Sequence, residues 1–137
     1  MALDPELTGR TYASETPYHV SAEKIAEFVA AIGADPTDRP GTAPFSFPMV
    51  VAFDLMGRLM SDPSVGIELR NVVHRDERIE QVRPIRAGDA LVGTLNVDSV
   101  RAAAGVEMIA TSTAISTADG EAVCTATATL VHRGVDA

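Results

Sequence analysis

Pro48-Met49-Val50-Val51-Ala52-Phe53-Asp54-Leu55-Met56-Gly57-Arg58-Leu59-Met60 is apolar on nearly every side of the helix it would form. A helix that is apolar all round is a buried one, so this segment predicts a central helix with a sheet wrapped about it. Its charged residues, Asp54 and Arg58, stand four apart on one face. That spacing predicts an ion pair across one helical turn. The alternative, a catalytic carboxylate on the central helix, is the weaker reading because Arg58 is placed to neutralise Asp54.

Working outward, Ser21 offers an N-cap oxygen, and Ile25, Phe28, Val29 and Ile32 follow at the spacing of one helical face. Gly33 supplies a stop, so a first helix is predicted over 22–32. Residues 33–44 contain three prolines and two glycines and read as a loop. Residues 1–20 read as an extended arm or short edge strand. After about residue 72 the apolar period becomes two, predicting strands at Glu77–Pro84, Ala90–Val100, Val106–Thr117 and Ala122–Arg133. Ala87-Gly88-Asp89 and Ala118-Asp119-Gly120 read as tight hairpins, which makes this half an antiparallel meander. Its threonine-rich last strand, with little charge from Val123 to Leu130, reads as an exposed edge that a second chain would cover. Ala122, Ala126 and Ala128 are small enough for the central helix to approach closely. The fold class is α+β, in one domain over 1–137.

Composition narrows the function. The 137 residues are 46% hydrophobic, which excludes disorder as the main state. Nineteen acidic against eleven basic residues give a net charge of −8, which argues against nucleic acid or an anionic membrane as partner. Aromatics make up 4% with no Trp, so stacking platforms for single strands are missing. The apolar run Pro48–Met56 is far short of a membrane span, and residues 1–6 do not read as a secretory signal. A lone Cys124 excludes an intramolecular disulfide and points to the cytoplasm. Three histidines without an H-x-H pair give no metal site, and no phosphate loop or serine elbow is present.

The run Val72-Val73-His74-Arg75-Asp76-Glu77-Arg78-Ile79-Glu80-Gln81-Val82-Arg83-Pro84-Ile85-Arg86-Ala87-Gly88-Asp89 closely resembles the strand and turn of MaoC-like dehydratases. Thr8-Gly9-Arg10-Thr11-Tyr12, Tyr18-His19-Val20 and Phe28–Gly33 resemble the N-terminal branch found in (3R)-hydroxyacyl-ACP dehydratase subunits of type II fatty-acid elongation. The resemblance covers nearly the whole chain. It implies a hotdog fold, an acyl-CoA or acyl-ACP substrate, no cofactor, and a homodimer or a heterodimer with a catalytic hotdog subunit.

In catalytic members of that family the first helix ends in Gly-Asp-x-Asn-Pro-x-His, whose carboxylate and imidazole share one water. Here the place after Gly33 holds Ala34 and the place five beyond holds Arg39. Sliding the frame by one offers Asp35 but sets Pro40 where the imidazole belongs. Loss of one member of such a pair costs at least about 10²-fold in rate. The resemblance also implies a missing lid: only Arg39-Pro40-Gly41-Thr42 separates this loop from Ala43-Pro44-Phe45, where relatives carry a covering segment. An open apolar groove lined by Phe45, Phe47, Met49 and Phe53 is therefore expected to hold the acyl chain.

Five of the eleven basic residues, Arg70, Arg75, Arg78, Arg83 and Arg86, fall between positions 70 and 86. They read either as a solvated strand of alternating charge or, at Arg83 and Arg86, as a site for the carrier's phosphates. His74 is a surrogate base candidate; a histidine at a strand end is more often a hydrogen-bonding surface residue. His19 and His132 have no carboxylate partner by spacing, and Cys124 reads as packing. These observations predict a dehydratase subunit without its own acid/base pair. Two alternatives stand: a non-enzymatic acyl-thioester-binding or structural homodimer, and a self-sufficient dehydratase using Asp35 or His74.

Overall fold

The computed structural model describes residues 3–134. Two helices, α1 (Ala22–Ala31) and α2 (Met49–Ser61), precede most of the sheet. Short strands β1 (Thr11–Ala13) and β2 (Tyr18–His19) lie in the arm; β3 (Val72–Gln81), β4 (Ala90–Ala103), β5 (Val106–Thr117) and β6 (Ala122–Arg133) form the body of the sheet. All pairings are antiparallel, in the order β1-β4-β5-β6-β3, with β2 also on β4. Among the described residues no helix is long and apolar enough to cross a membrane.

The meander is real for β4, β5 and β6 but stops there. β3 pairs with β6 at the far edge, not with β4. Ala87-Gly88-Asp89 is therefore a turn in a crossover rather than a hairpin, with Gly88 at φ +97°, where a side chain would be strained. The threonine-rich β6 is an interior strand with partners on both sides; the long edge strand is β3, with short β1 and β2 at the opposite edge. Period-two patterning reports which face a residue takes, not which strand lies beside it, so the pattern alone does not locate the edge. β3 also begins at Val72 and ends at Gln81, five residues earlier at its start than the pattern indicated, because its charged residues hide the alternation.

The core lies between α2 and the inner sheet face. Val51, Ala52, Leu55, Met56 and Leu59 of α2 are buried against Leu91, Leu95, Ile109 and Leu130, among others. The close approach of helix to sheet occurs at Gly93 of β4: a Cβ there would sit 2.9 Å from Leu55 Cδ1 and 3.1 Å from Val51 Cγ1. Gly93, rather than the alanines of β6, sets the helix-to-sheet distance. In this single chain α2 is not covered on every side, since Phe53 remains 55% exposed. Asp54 pairs with Arg58 at 3.5 Å, as the four-residue spacing implied.

The arm is anchored, not loose. Leu3 and Leu7 are buried, and Asp4 N–H donates to Val65 O at 2.9 Å. Arg10 pairs with Asp4 and approaches Asp62 at 3.6 Å, and Tyr12 O–H donates to Asp62 Oδ2 at 2.7 Å. This cluster ties β1 to the C-terminal end of α2.

Candidate functional site

A cavity of about 340 Å³ lies between α1 and the 34–45 loop. Ser21 starts its helical wall: Ser21 Oγ accepts from Lys24 N–H at 3.0 Å. Ile25 and Val29 then face inward, and Gly33, at φ +73°, turns the chain into the loop. The loop is held from the other side by the crossover turn. Ala43 N–H donates to Ile85 O at 2.8 Å, Ala87 N–H to Gly41 O at 3.1 Å, and Thr42 bridges to Arg86.

The ionisable groups on the cavity wall are Asp35, Asp38 and Arg39, and no imidazole is among the lining residues. Asp35 is exposed; its Oδ1 accepts from Thr37 N–H at 2.8 Å and Thr37 O–H at 2.7 Å, which together hold its carboxyl below the usual range. That carboxylate closes an Asx turn, the ordinary structural use of Asp in such a loop.

Of the four residues assigned to an acyl groove, the cavity lining includes one. Phe45 lines the cavity and is 59% exposed. Phe47 is fully buried, edge-on to Phe28 at 5.3 Å and tilted against Tyr18 at 6.4 Å, so the arm and α1 fill the space beside it. Met49 is half-buried at the start of α2, and Phe53 lies one turn on, 6.0 Å from the His74 ring.

Arg83 and Arg86 also part company. Arg83 Nη1 and Nη2 donate to the two oxygens of Asp89 at 2.9 and 3.1 Å, Nη1 donates to Pro84 O, and Nε lies 3.2 Å from Glu121 Oε1. The pairing raises the Arg83 pKa and lowers that of Asp89, so this cation staples the turn and has little left for a ligand. Arg86 is exposed, with no ion pair among the described residues.

His74 is half-buried with Nε2 3.1 Å from Glu77 Oε1. Residues three apart on a regular strand point to opposite faces; here a β-bulge at Arg75 restores them to the same one. This pair is not legible in the sequence, because a bulge within alternating charges leaves no pattern. His132 is fully buried: its Nε2 accepts from Glu68 N–H at 3.1 Å, so Nδ1 carries the proton and faces Glu107 Oε1 at 3.2 Å. That bond set fixes the turn before β3. His19 is exposed in β2. Cys124 is buried, and burial pushes its thiol up to about 11, away from reactivity.

This architecture and the comparisons agree. Residues 6–126 match the family described as FAS1-like, dehydratase domain region, and the chain belongs to this family of hotdog-fold dehydratases. A UPF0336 protein of Streptomyces avermitilis is 35% identical, with 99% of each chain covered. That alignment runs over 149 positions against the 137 residues of this chain, so the relative carries about a dozen residues with no counterpart here. A chain of the Mycobacterium tuberculosis HadBC complex, a (3R)-hydroxyacyl-ACP dehydratase, superposes with a TM-score of 0.81 at 25% identity, over 94% of this chain and 99% of that one. A MaoC-like dehydratase superposes at 0.82 and 28% identity, over 96% of this chain but 43% of that longer one. The MaoC-like family and hotdog fold expected from residues 72–89 are borne out.

Proposed function

We propose that this chain is the acyl-accommodating subunit of a (3R)-hydroxyacyl-thioester dehydratase, with acid/base chemistry supplied by a second hotdog chain. One observation carries this reading: the cavity beside α1 is walled by Asp35, Asp38 and Arg39 without an imidazole, and the Asp35 carboxylate is already bound to Thr37. Removing water across the α and β carbons needs one group to take the α proton and one to protonate the departing hydroxyl. No pair on this wall can do both. Ile25, Val29 and Phe45 offer an apolar lining instead, and each buried acyl methylene gains about 0.8 kcal/mol there. Of the two arginines, Arg86, bridged to Thr42 of the loop, is the one free to meet a carrier phosphate, whether of CoA or of ACP. A cytoplasmic setting fits the lone cysteine.

The purified chain alone should leave the conjugated thioester absorbance of a 2-enoyl-CoA unchanged, and a catalytic hotdog subunit added to it should hydrate that substrate. Turnover by the chain alone that is lost on Asp35→Asn or His74→Ala would overturn the proposal. The His74–Glu77 pair is what favours that self-sufficient reading, although it stands apart from the cavity lining. Binding of acyl thioesters without turnover in any combination would favour a non-enzymatic homodimer.

A further inference from the structure

His132, near the end of β6, is fully buried, yet both of its ring nitrogens are engaged. Nε2 accepts from Glu68 N–H at 3.1 Å, a bond between residues 64 apart in the chain. Nδ1 therefore carries the proton, and it faces Glu107 Oε1 of β5 at 3.2 Å. With one nitrogen fixed as acceptor and the other as donor, the ring is held in a single tautomer.

The Glu68 bond holds the turn over 62–71, between α2 and β3. Glu68 opens the single-turn helix Leu69–Asn71: its carbonyl accepts from Asn71 N–H at 2.8 Å, and its carboxylate accepts from the side chains of Arg70 and Asn71. Val65 of the same turn is buried, and its carbonyl accepts from Asp4 N–H at 2.9 Å, so the turn is also where the arm is attached. The bond to His132 fastens this turn to β6 ahead of the ladder between β3 and β6, which starts at Val72.

That bond depends on a lone pair. A proton on Nε2 would set one donor against another in a site closed to water, leaving both unsatisfied. Among the described residues, the charged groups around the ring are Glu107 on the Nδ1 side and Glu68, whose carboxylate is turned to Arg70 and Asn71. Val72, its neighbour on β3, is uncharged, and Arg133, next along β6, is exposed. Asp62, at the start of the turn, is held at about 2 by Tyr12 and Ser64 and stays ionised throughout the imidazole range. The ring can therefore take a second proton only with the turn open.

We propose that His132 is a pH-sensitive latch: as a neutral imidazole it closes the turn over 62–71 onto the sheet, and when protonated it releases that turn. The latch is independent of the reading as a dehydratase subunit.

Amide hydrogen exchange of the full chain, followed by NMR, tests it. A free imidazole takes its proton at about pH 6.5, so going from about pH 7.5 to about 5.5 favours the open turn by about tenfold. Protection of the Glu68 and Asn71 amides, each relative to an unstructured chain at the same pH, should fall by that factor, while protection of Thr113 in interior β5 should not. His132→Gln, whose side-chain carbonyl can accept from Glu68 N–H but takes no proton, should abolish the fall. His74→Gln removes the imidazole beside Glu77 and should leave it intact. No fall in the wild-type chain, or the same fall in His132→Gln, would overturn the proposal. If His132→Gln fails to fold, judged by its thermal melt, the ring nitrogen shifts of the wild-type chain decide. Nε2 should stay bare for as long as the Glu68 amide is protected, and a doubly protonated ring beside a protected Glu68 amide would overturn the latch.

Discussion

At the scale of single residues, two glycines in contact with the same helix have opposite meanings. Gly93 has no space for a methyl group: Leu55 and Val51 stand 2.9 and 3.1 Å from where its Cβ would be, and Leu55 is fully buried and cannot swing away. Gly93→Ala should therefore destabilise the domain by about 1–3 kcal/mol through overpacking. Gly57, inside α2, has nothing within 4 Å of its Cβ position. Gly57→Ala should stabilise by about 0.5–1 kcal/mol, because alanine loses less backbone freedom in a helix. Urea unfolding of both variants checks the pair, and equal signs would contradict the packing described. Neither glycine is distinguishable from sequence, since both sit in apolar runs. Phe47 and Phe53 show the same limit: one is core and one is surface, and only the packed fold separates them.

At the scale of elements, what was legible followed from short-range physics. Ser21 and the Ile25–Ile32 spacing located α1 because a cap and a helical face are local properties. The pairing of β3 with β6, and the bulge that turns His74 and Glu77 to one face, depend on contacts remote in the chain and were not legible. The junction of β1 with α2 makes a pH-dependent contribution. Tyr12, Ser64 and Arg10 bring the Asp62 carboxyl down from 3.8 to about 2. A folded pKa below the unfolded one stabilises above pH 3.8, and that contribution is lost as pH falls toward 2. At the alkaline end the Tyr12 hydroxyl is pushed from 10 up to about 12 by burial and by Asp62, so its contribution is present below pH 10 and fades as pH rises toward 12. Asp62→Asn should flatten the acid limb of a plot of melting temperature against pH. A wild-type acid limb unchanged in Asp62→Asn would show that the junction carries no such linkage.

At the scale of the whole molecule, the strand order β1-β4-β5-β6-β3 divides the sheet into parts of different history. β4, β5 and β6 follow one another through short links, so their pairing closes small loops. β3 and β1 join only after dozens of intervening residues have been brought together, which costs more chain entropy. The meander is then the part expected to be organised in the folding transition state, with both edges added afterwards. Ile109→Val, in buried β5, should slow refolding, whereas Ile79→Val, in edge strand β3, should mainly speed unfolding. Chevron plots of the two variants measure this, and a refolding arm slowed equally by both would contradict it. A nascent chain would thus present its late-joining edge strand while the rest of the sheet is already assembled. The interval before that strand docks is when an unfinished copy is most open to pairing with the wrong neighbour, and that hazard recurs in every round of synthesis.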